Sequence, residues 1–158
     1  MTTERIRASR LLSYTSRSYL RYLSKHLKKY ELGLSNYSTL LFLYHRNEFH
    51  PEGCSQAFIA KQTAQDKGLM SRNVKTLKAK GYIDIIVDPQ NNSSNRVKIT
   101  KEGKKIAKVI DDLIIKWEEE MWEVIAPKDR DAFERSIVAI FQHLGSEDEV
   151  TVGKTRIF

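Results

Sequence analysis

Four basic side chains lie close together in residues 68–88, GLMSRNVKTLKAKGYIDIIVD: Arg72, Lys75, Lys78 and Lys80. Cations at this spacing can neutralise the neighbouring charges of a polyanion. An apolar stripe on the same segment predicts an amphipathic helix with one buried side. It consists of Leu69, Met70, Val74 and Leu77. Basic flanks are common on surface helices, so the surrounding elements decide whether this cluster has a partner.

The chain as a whole also separates its charges. It has 158 residues and a net charge of +7. Residues 1–30 carry eight Lys or Arg against one Glu, and residues 61–108 carry twelve against four Asp or Glu. Residues 31–60 carry one Arg against three Glu, and residues 109–158 carry six basic against twelve acidic residues. Segregated charge favours a dedicated polyanion-binding face, although lysines scattered over solvated helix surfaces are an equal alternative.

Composition disfavours several other classes of protein. With 41% hydrophobic and 30% charged residues, the chain resembles a folded protein. It has neither an apolar run of the ~18–20 residues that cross a bilayer nor a signal peptide, so we expect a cytoplasmic protein with no membrane partner. The single Cys54 excludes an internal disulfide. We expect it to be an inert buried thiol rather than a redox sensor.

Enzymatic and metal chemistry receive little support from the sequence. It shows no nucleophile–base pair, no glycine loop that would cradle a phosphate and no carboxylates paired on one face. The histidines lack the close spacing of metal ligands; they are His26, His45, His50 and His143. We therefore expect a binding protein that is not an enzyme and uses no cofactor.

Long helices are predicted at both ends of the chain. Residues 4–30 carry an apolar seam with steps of three or four residues, and Gly33 follows as a terminator. A helix of ~27 residues is ~40 Å long. One small domain cannot cover that length, so part of the seam is expected to contact another chain. Residues 101–125 and 128–144 carry similar stripes on either side of Pro127.

Shorter elements fill the middle of the chain. Helices are predicted at 36–46 and 56–63, with Ser35 and Ser55 as their N-caps, and at 67–80. Gly81 should end the last of these helices. The β-branched runs at 82–88 and 96–100 predict two strands joined by the polar loop PQNNSSN.

Two short helices joined by a tight break and followed by a hairpin form a winged helix-turn-helix. The second helix of such a pair fits the major groove, ~12 Å wide, while the wing reaches the neighbouring minor groove. The predicted fold class is mainly α with a small β-hairpin wing and helical dimerisation arms. The predicted domains are an N-terminal dimerisation helix (1–34), the winged helix-turn-helix (35–100), C-terminal dimerisation helices (101–145) and a tail (146–158).

Over about residues 10–144 the sequence resembles the MarR (multiple antibiotic resistance regulator) family of bacterial winged helix-turn-helix repressors. The matching pieces, in order, are Ser55-Gln56, Ile59-Ala60, Arg72, Leu77 before Gly81, Asp88, and ITKEG at 99–103. Three sites depart from the family pattern. Ala64 stands where the turn usually has glycine, Gly68 and Leu69 replace small hydroxyl residues, and Asn92-Ser93 occupies a wing tip that usually presents an arginine.

The pattern and the resemblance together predict DNA contacts on the short helix, the basic helix and the wing. The predicted contacts are Ser55, Gln56, Lys67, Gly68, Leu69, Ser71, Arg72, Asn73, Lys75, Thr76, Lys78, Asn92, Ser94, Asn95 and Arg96. Alternatives remain open for some of them. Arg72 would instead form a salt bridge to the domain body, Lys75 and Thr76 would simply face solvent, and Arg96 would turn inward.

The resemblance implies a homodimer bound to a pseudo-palindromic double-stranded operator with half-sites ~10 bp apart. The predicted dimer contacts are Leu12, Leu20, Leu23, Phe133, Ile137, Phe141 and Leu144. The resemblance also implies a small anionic or phenolic effector that releases DNA, with no residues assigned to it. Several tyrosines fit either such a pocket or the core; they are Tyr14, Tyr19, Tyr22 and Tyr44.

A function of a different class, binding to other proteins or to a membrane surface, remains an alternative. The basic amphipathic helix at the start of the chain would bind other proteins or an anionic membrane surface, with its leucines buried there. A dimer seam is better supported, because it leaves no leucines exposed in free solution.

Overall fold

The computed structural model describes residues 7–87 and 95–144. Within those ranges the chain forms six α-helices and three short strands. They are α1 (Ala8–Leu27), α2 (Leu34–Arg46), β1 (Cys54–Ser55), α3 (Gln56–Gln62), α4 (Lys67–Ala79), β2 (Ile83–Ile86), β3 (Arg96–Ile99), α5 (Lys101–Glu123) and α6 (Arg130–Leu144). Single 3-10 turns follow α1 and precede α6. The predicted class, mainly α with a small β wing, is confirmed.

The wing contains one more strand than predicted. The sheet is antiparallel with the order β1-β3-β2, so the short β1 ahead of α3 pairs with the outer side of the hairpin. Cys54 lies opposite Val97, and Ile83 lies opposite Ile99. A strand of two residues has no readable periodicity, which is why the sequence did not reveal it. Its pairing joins the start of α3 to the wing.

Helix boundaries follow local capping. The Ser55 hydroxyl accepts a hydrogen bond from the Phe58 N–H at 3.2 Å, as predicted for an N-cap. The predicted N-cap Ser35 is wrong, because the N-cap of α2 is Gly33, two residues earlier, in extended conformation. Gly33 therefore opens α2, and Glu31, in the left-handed region at φ 52°, ends the turn after α1.

The core lies between the C-terminal half of α1, α2, the inner face of α4, the sheet and the first half of α5. Leu23 and Leu27 of α1 are completely buried in it, together with Leu40 and Leu77. The prediction of Leu23 as a dimer contact is therefore wrong, because its side chain is enclosed within its own chain. It also follows that Leu23 and Leu27 are not available to bind a lipid surface.

Gly103 is required for the junction between wing and arm. A Cβ at this position would collide with the backbone carbonyl of Tyr82, just before β2. The close approach lets Thr100 cap α5 and at the same time donate its hydroxyl to the Gly81 carbonyl at 2.7 Å. None of the helices in the described ranges is long and apolar enough to cross a membrane.

Candidate nucleic-acid interface

Helix α4 has two chemically distinct faces. Its inner face is buried and consists of Met70, Asn73, Val74 and Leu77. Its outer face is exposed and almost entirely polar or basic. The exposed residues are Lys67, Gly68, Ser71, Arg72, Lys75, Lys78 and Ala79. The period of 3.6 residues that buries one side thus places every predicted basic contact of this helix on one solvent-facing surface.

A shallow groove runs beside this outer face. It is lined by the first residue of α3, by the exposed face of α4 and by β2. Its polar lining side chains are Gln56, Ser71, Lys75 and Lys78. The fold therefore brings predicted contacts from both helices of the helix-turn-helix to one continuous surface.

The basic side chains of the outer face are not neutralised by other residues that the structure describes. No ion pair among the described residues involves Lys67, Arg72, Lys75 or Lys78. The alternative in which Arg72 forms a salt bridge to the domain body is therefore not observed. Lys80, at the end of the helix, differs because its ammonium donates to Glu31 at 2.8 Å and holds the pKa of that carboxyl below its usual value.

Asn73 is the clearest departure from the predicted contacts. Its residue is only 3% exposed, on the inner face of α4. The Asn73 amide nitrogen donates to the Gln65 side-chain oxygen at 2.6 Å and to the Ser35 carbonyl at 3.2 Å. Its oxygen accepts from the Asn36 amide at 2.8 Å and from the Ser35 hydroxyl at 3.0 Å. A side chain so placed cannot contact DNA, so that prediction is wrong.

Gln65 extends this network to the turn between α3 and α4. Its amide nitrogen reaches the Ser38 hydroxyl at 2.9 Å, the Thr39 hydroxyl at 3.2 Å and the Ser35 carbonyl at 3.2 Å. The preceding Ala64 has a left-handed φ of 50°, which turns the chain towards α4. No buried side-chain nitrogen or oxygen in the described residues lacks a partner. The network joins residues that are up to 38 positions apart, so no local sequence pattern indicates it.

Arg96 is held by its own domain. Its guanidinium donates to the Gly53 carbonyl at 2.8 Å and to the Glu52 carboxylate at 3.2 Å. The predicted DNA contact of Arg96 is therefore not available in this conformation, since the donors already brace the loop before β1. Asn95 is partly buried, and the predicted contacts Asn92 and Ser94 lie outside the described residues.

The remaining predicted contacts lie at the margins of the outer face. Leu69 and Thr76 are half-buried on either side of it. Ser55 is half-buried as well, and its hydroxyl is engaged as the α3 N-cap. Gln56, next to it, lines the groove. Gln56 and the exposed face of α4 thus form the centre of the candidate interface.

The helical arms carry apolar side chains that one chain does not cover. On α1, Leu12 and Leu20 are exposed, and on α6 Ile137 and Leu144 are exposed, the latter by 76%. Phe133 and Phe141 are half-buried, and Phe133 contacts Trp122 edge to face. Among the predicted dimer contacts only Leu23 lies in the core.

The tyrosines divide between core and surface. Tyr19 and Tyr22 pack on Trp117 of α5, with ring centroids 5.7 and 5.1 Å apart. The Tyr22 hydroxyl donates to the Leu113 carbonyl, and burial raises the pKa of Tyr19 above its usual value. Tyr14 is exposed by 59%. These contacts tie α1 to α5 and favour the core reading for Tyr19 and Tyr22.

Cys54 is buried, and burial together with the nearby Glu52 raises the pKa of its thiol. A raised thiol pKa lowers the fraction of reactive thiolate at neutral pH. These observations agree with an inert thiol. In the described residues no group of three or more His, Cys, Asp or Glu side chains is arranged to hold a metal ion.

The fold defines a class of protein. Its helix pair, hairpin wing and exposed basic second helix make up the winged helix-turn-helix of DNA-binding transcriptional regulators. Residues 30–91 match the model of the MarR family. The helix-turn-helix-type transcriptional regulator BilQ of Clostridioides difficile (strain CD3) is 26% identical over 116 residues, which span 68% of this chain and 75% of BilQ.

Solved structures share the fold over most of the chain. The MepR–DNA complex of S. aureus superposes with a TM-score of 0.75 at 18% identity, covering 88% of this chain and 99% of MepR. A MarR transcriptional regulator from Methanosarcina mazei Go1 gives a TM-score of 0.72 at 24% identity, covering 86% of this chain and 94% of that one. The family that residues 30–91 match, and the fold that these structures share with the chain, are those of transcription regulators.

Proposed function

We propose that this protein is a homodimeric, sequence-specific regulator, and a repressor, that binds a double-stranded pseudo-palindromic operator through α4. The observation that carries the proposal is the outer face of α4. Arg72, Lys75 and Lys78 stand there exposed and without an ion-pair partner among the described residues, on a helix whose other face is fully buried. A rigid helix with unneutralised cations on its outer side fits the major groove and its flanking phosphates.

Within this interface we assign different roles to the side chains. Arg72 can present two parallel N–H donors to a guanine, which is the commonest base-specific contact. Lys67, Lys75 and Lys78 contact phosphates, since ammonium groups act there as point charges. Gln56, half-buried at the start of α3 where it lines the groove, reaches either a phosphate or a base edge.

Two copies are needed for a two-fold symmetric site. The uncovered apolar residues of α1 and α6 supply a surface for the second copy, because a monomer would expose them to water. Dimerisation through these arms would present two α4 helices to half-sites roughly 10 bp apart.

We further propose that a small anionic or phenolic effector releases DNA, as the resemblance to the MarR family suggests. Such a ligand need only bind the released geometry better than the DNA-bound geometry by about 1–3 kcal/mol. A screen of phenolic acids for rises in melting temperature, followed by competition against operator binding, tests this part separately. Ligands that stabilise the protein without displacing DNA would contradict it.

The DNA assignment is tested with an operator selected from a random duplex pool. Arg72→Ala should weaken operator binding by about 1–3 kcal/mol, which is roughly 5- to 150-fold. Fluorescence anisotropy over a range of salt concentrations should show a linear fall of log K with the logarithm of the salt concentration. For the wild type the slope should be about −0.9 per neutralised phosphate.

Arg135→Ala is the matched control, because it removes the same charge from an exposed position on α6. It should change operator affinity by less than about twofold, since it lies outside the proposed interface. Binding that is indifferent to salt, or an equal effect of the two substitutions, would contradict the proposal.

A further inference from the structure

Beneath the DNA-facing surface lies the polar network of Asn73, Gln65, Asn36 and Ser35. We infer that Asn73 and Gln65 are positioning residues for DNA reading: they fix the rotation and the axial position of α4 relative to α2. This inference rests on the proposed function. Neither side chain needs to touch DNA, because they act through the exposed residues on the opposite side of the same helix.

Every hydrogen-bonding position of the Asn73 side-chain amide is occupied. A primary amide has two N–H donors and an oxygen that accepts two hydrogen bonds. The Asn73 amide donates to Gln65 and to the Ser35 carbonyl, and it accepts from Asn36 and from the Ser35 hydroxyl, all between 2.6 and 3.2 Å. Rolling or sliding α4 would break several of these bonds inside a buried site.

The network also connects α4 to α2 and to the turn that precedes α4. Asn36 lies in the first turn of α2, where its own oxygen accepts from the Gly33 N–H at 3.0 Å. Gln65 lies in the turn between α3 and α4 and bonds to Ser38 and Thr39 on α2. A single connected set of hydrogen bonds thus joins the start of α2, the turn and the middle of α4.

The hydrogen bonds of Asn73 restrict the orientation of α4 more than the apolar contacts on the same helix face do. Met70, Val74 and Leu77 hold α4 against the core, but apolar contacts have no directional requirement and allow small rotations. Hydrogen bonds weaken steeply when their angles and distances change. Because Arg72 is the residue next to Asn73, a small rotation of the helix would move its guanidinium away from a base edge.

Base reading is more sensitive to such a shift than phosphate contact is. A bidentate contact needs both donors in place, and functional side chains must be held within about 0.5 Å and 10–20°. Long lysine side chains adjust to a displaced phosphate. Loss of the network should therefore lower the preference for operator over unrelated DNA while leaving the salt dependence of binding nearly unchanged.

The test compares Asn73→Leu with Val74→Ala. Leucine has a similar size to asparagine and makes no hydrogen bonds, whereas Val74 is equally buried, on the same helix, and takes no part in the network. Affinities for operator and for a scrambled duplex are measured at a temperature where melting curves show each variant fully folded. We expect Asn73→Leu to reduce the ratio of the two affinities by about tenfold or more, the value of one base contact, and Val74→Ala by less than about threefold.

Gln65→Met serves as a second variant in case Asn73→Leu does not fold, because Gln65 is only half-buried. It removes the Asn73 partner at 2.6 Å and should lower the same ratio in the same direction. An unchanged ratio in the folded network variants, or an equal drop in Val74→Ala, overturns the inference. Wild-type protein without any operator preference overturns the proposed function, whereas a preference that survives the network substitutions overturns this inference alone.

Discussion

Helices α4 and α6 are both amphipathic, but their apolar side chains are buried to different extents. The inner face of α4 is buried within one chain, with Leu77 at 0% exposure. Helix α6 has no fully buried residue in this chain, and Ile137, Ile140 and Leu144 are all exposed. The same amphipathic pattern is therefore buried in the core of the chain in α4 and left exposed on the surface in α6.

The difference separates the two tasks that a DNA-binding dimer must perform. A helix that reads bases must be fixed by its own domain before DNA arrives, and α4 is fixed by the core and the polar network. A helix that joins two copies must keep its apolar side available for the partner. The following substitutions test whether the two helices differ in this way.

The largest expected effect comes from placing a charge on the open side of α6. Ile137→Glu should prevent dimerisation, because a carboxylate would be buried in an apolar seam. Losing the second half-site contact should lower operator affinity by at least about 100-fold, since the two contacts otherwise act together. Analytical ultracentrifugation and anisotropy measure the two effects.

Gln142→Glu is the control for Ile137→Glu, because it introduces the same charge at an exposed polar position of α6. It should remain dimeric and bind the operator normally. A dimeric Ile137→Glu protein would show that α6 does not form the interface. It would contradict the different roles assigned to α4 and α6.

A smaller effect, on folding rather than assembly, is expected from the inner face of α4. Leu77→Ala should lower the free energy of unfolding by about 2–5 kcal/mol through lost burial and a cavity. The volume-conserving Leu77→Met should lower it by less than about 1.5 kcal/mol. Urea denaturation measures both. An Ala variant as stable as the Met variant would mean that α4 is not anchored by this core.

The smallest effect concerns the turn that leads into α4. Ala64 adopts a left-handed φ of 50°, which glycine adopts without strain. Ala64→Gly should stabilise the protein by less than about 1 kcal/mol, because relief of strain is partly offset by the greater freedom of glycine in the unfolded chain. Ala60→Gly within α3 should destabilise it by about 1 kcal/mol. Equal losses in thermal denaturation would contradict this account of the turn.

Much of the fold could be predicted because its signals are periodic and local. The stripe of α4, the glycine after it and the β-branched runs each identified an element. The two-residue β1 was missed, since it is defined only by its pairing with β3. The N-cap of α2 was misplaced because Ser35 looks like a cap, whereas its carbonyl and hydroxyl serve the polar network.

Within the candidate site, the type of a residue did not predict whether it is exposed and therefore able to contact DNA. Asn73 was grouped with the DNA contacts because it is polar and adjacent to Arg72. Its spacing of three residues from Met70 and four from Leu77 places it on the inner face, so the helical period could have identified it. Arg96 could not have been resolved this way, because its partners Gly53 and Glu52 are distant in sequence.

We propose that two copies, joined through α1 and α6, place two α4 helices in successive major grooves on one side of a duplex. Hydroxyl-radical footprinting of the wild type on a selected operator tests it most directly. We predict two protected half-sites related by two-fold symmetry, with centres about 10 bp apart on one face of the DNA. A single protected site, or uniform protection without symmetry, would contradict the claim.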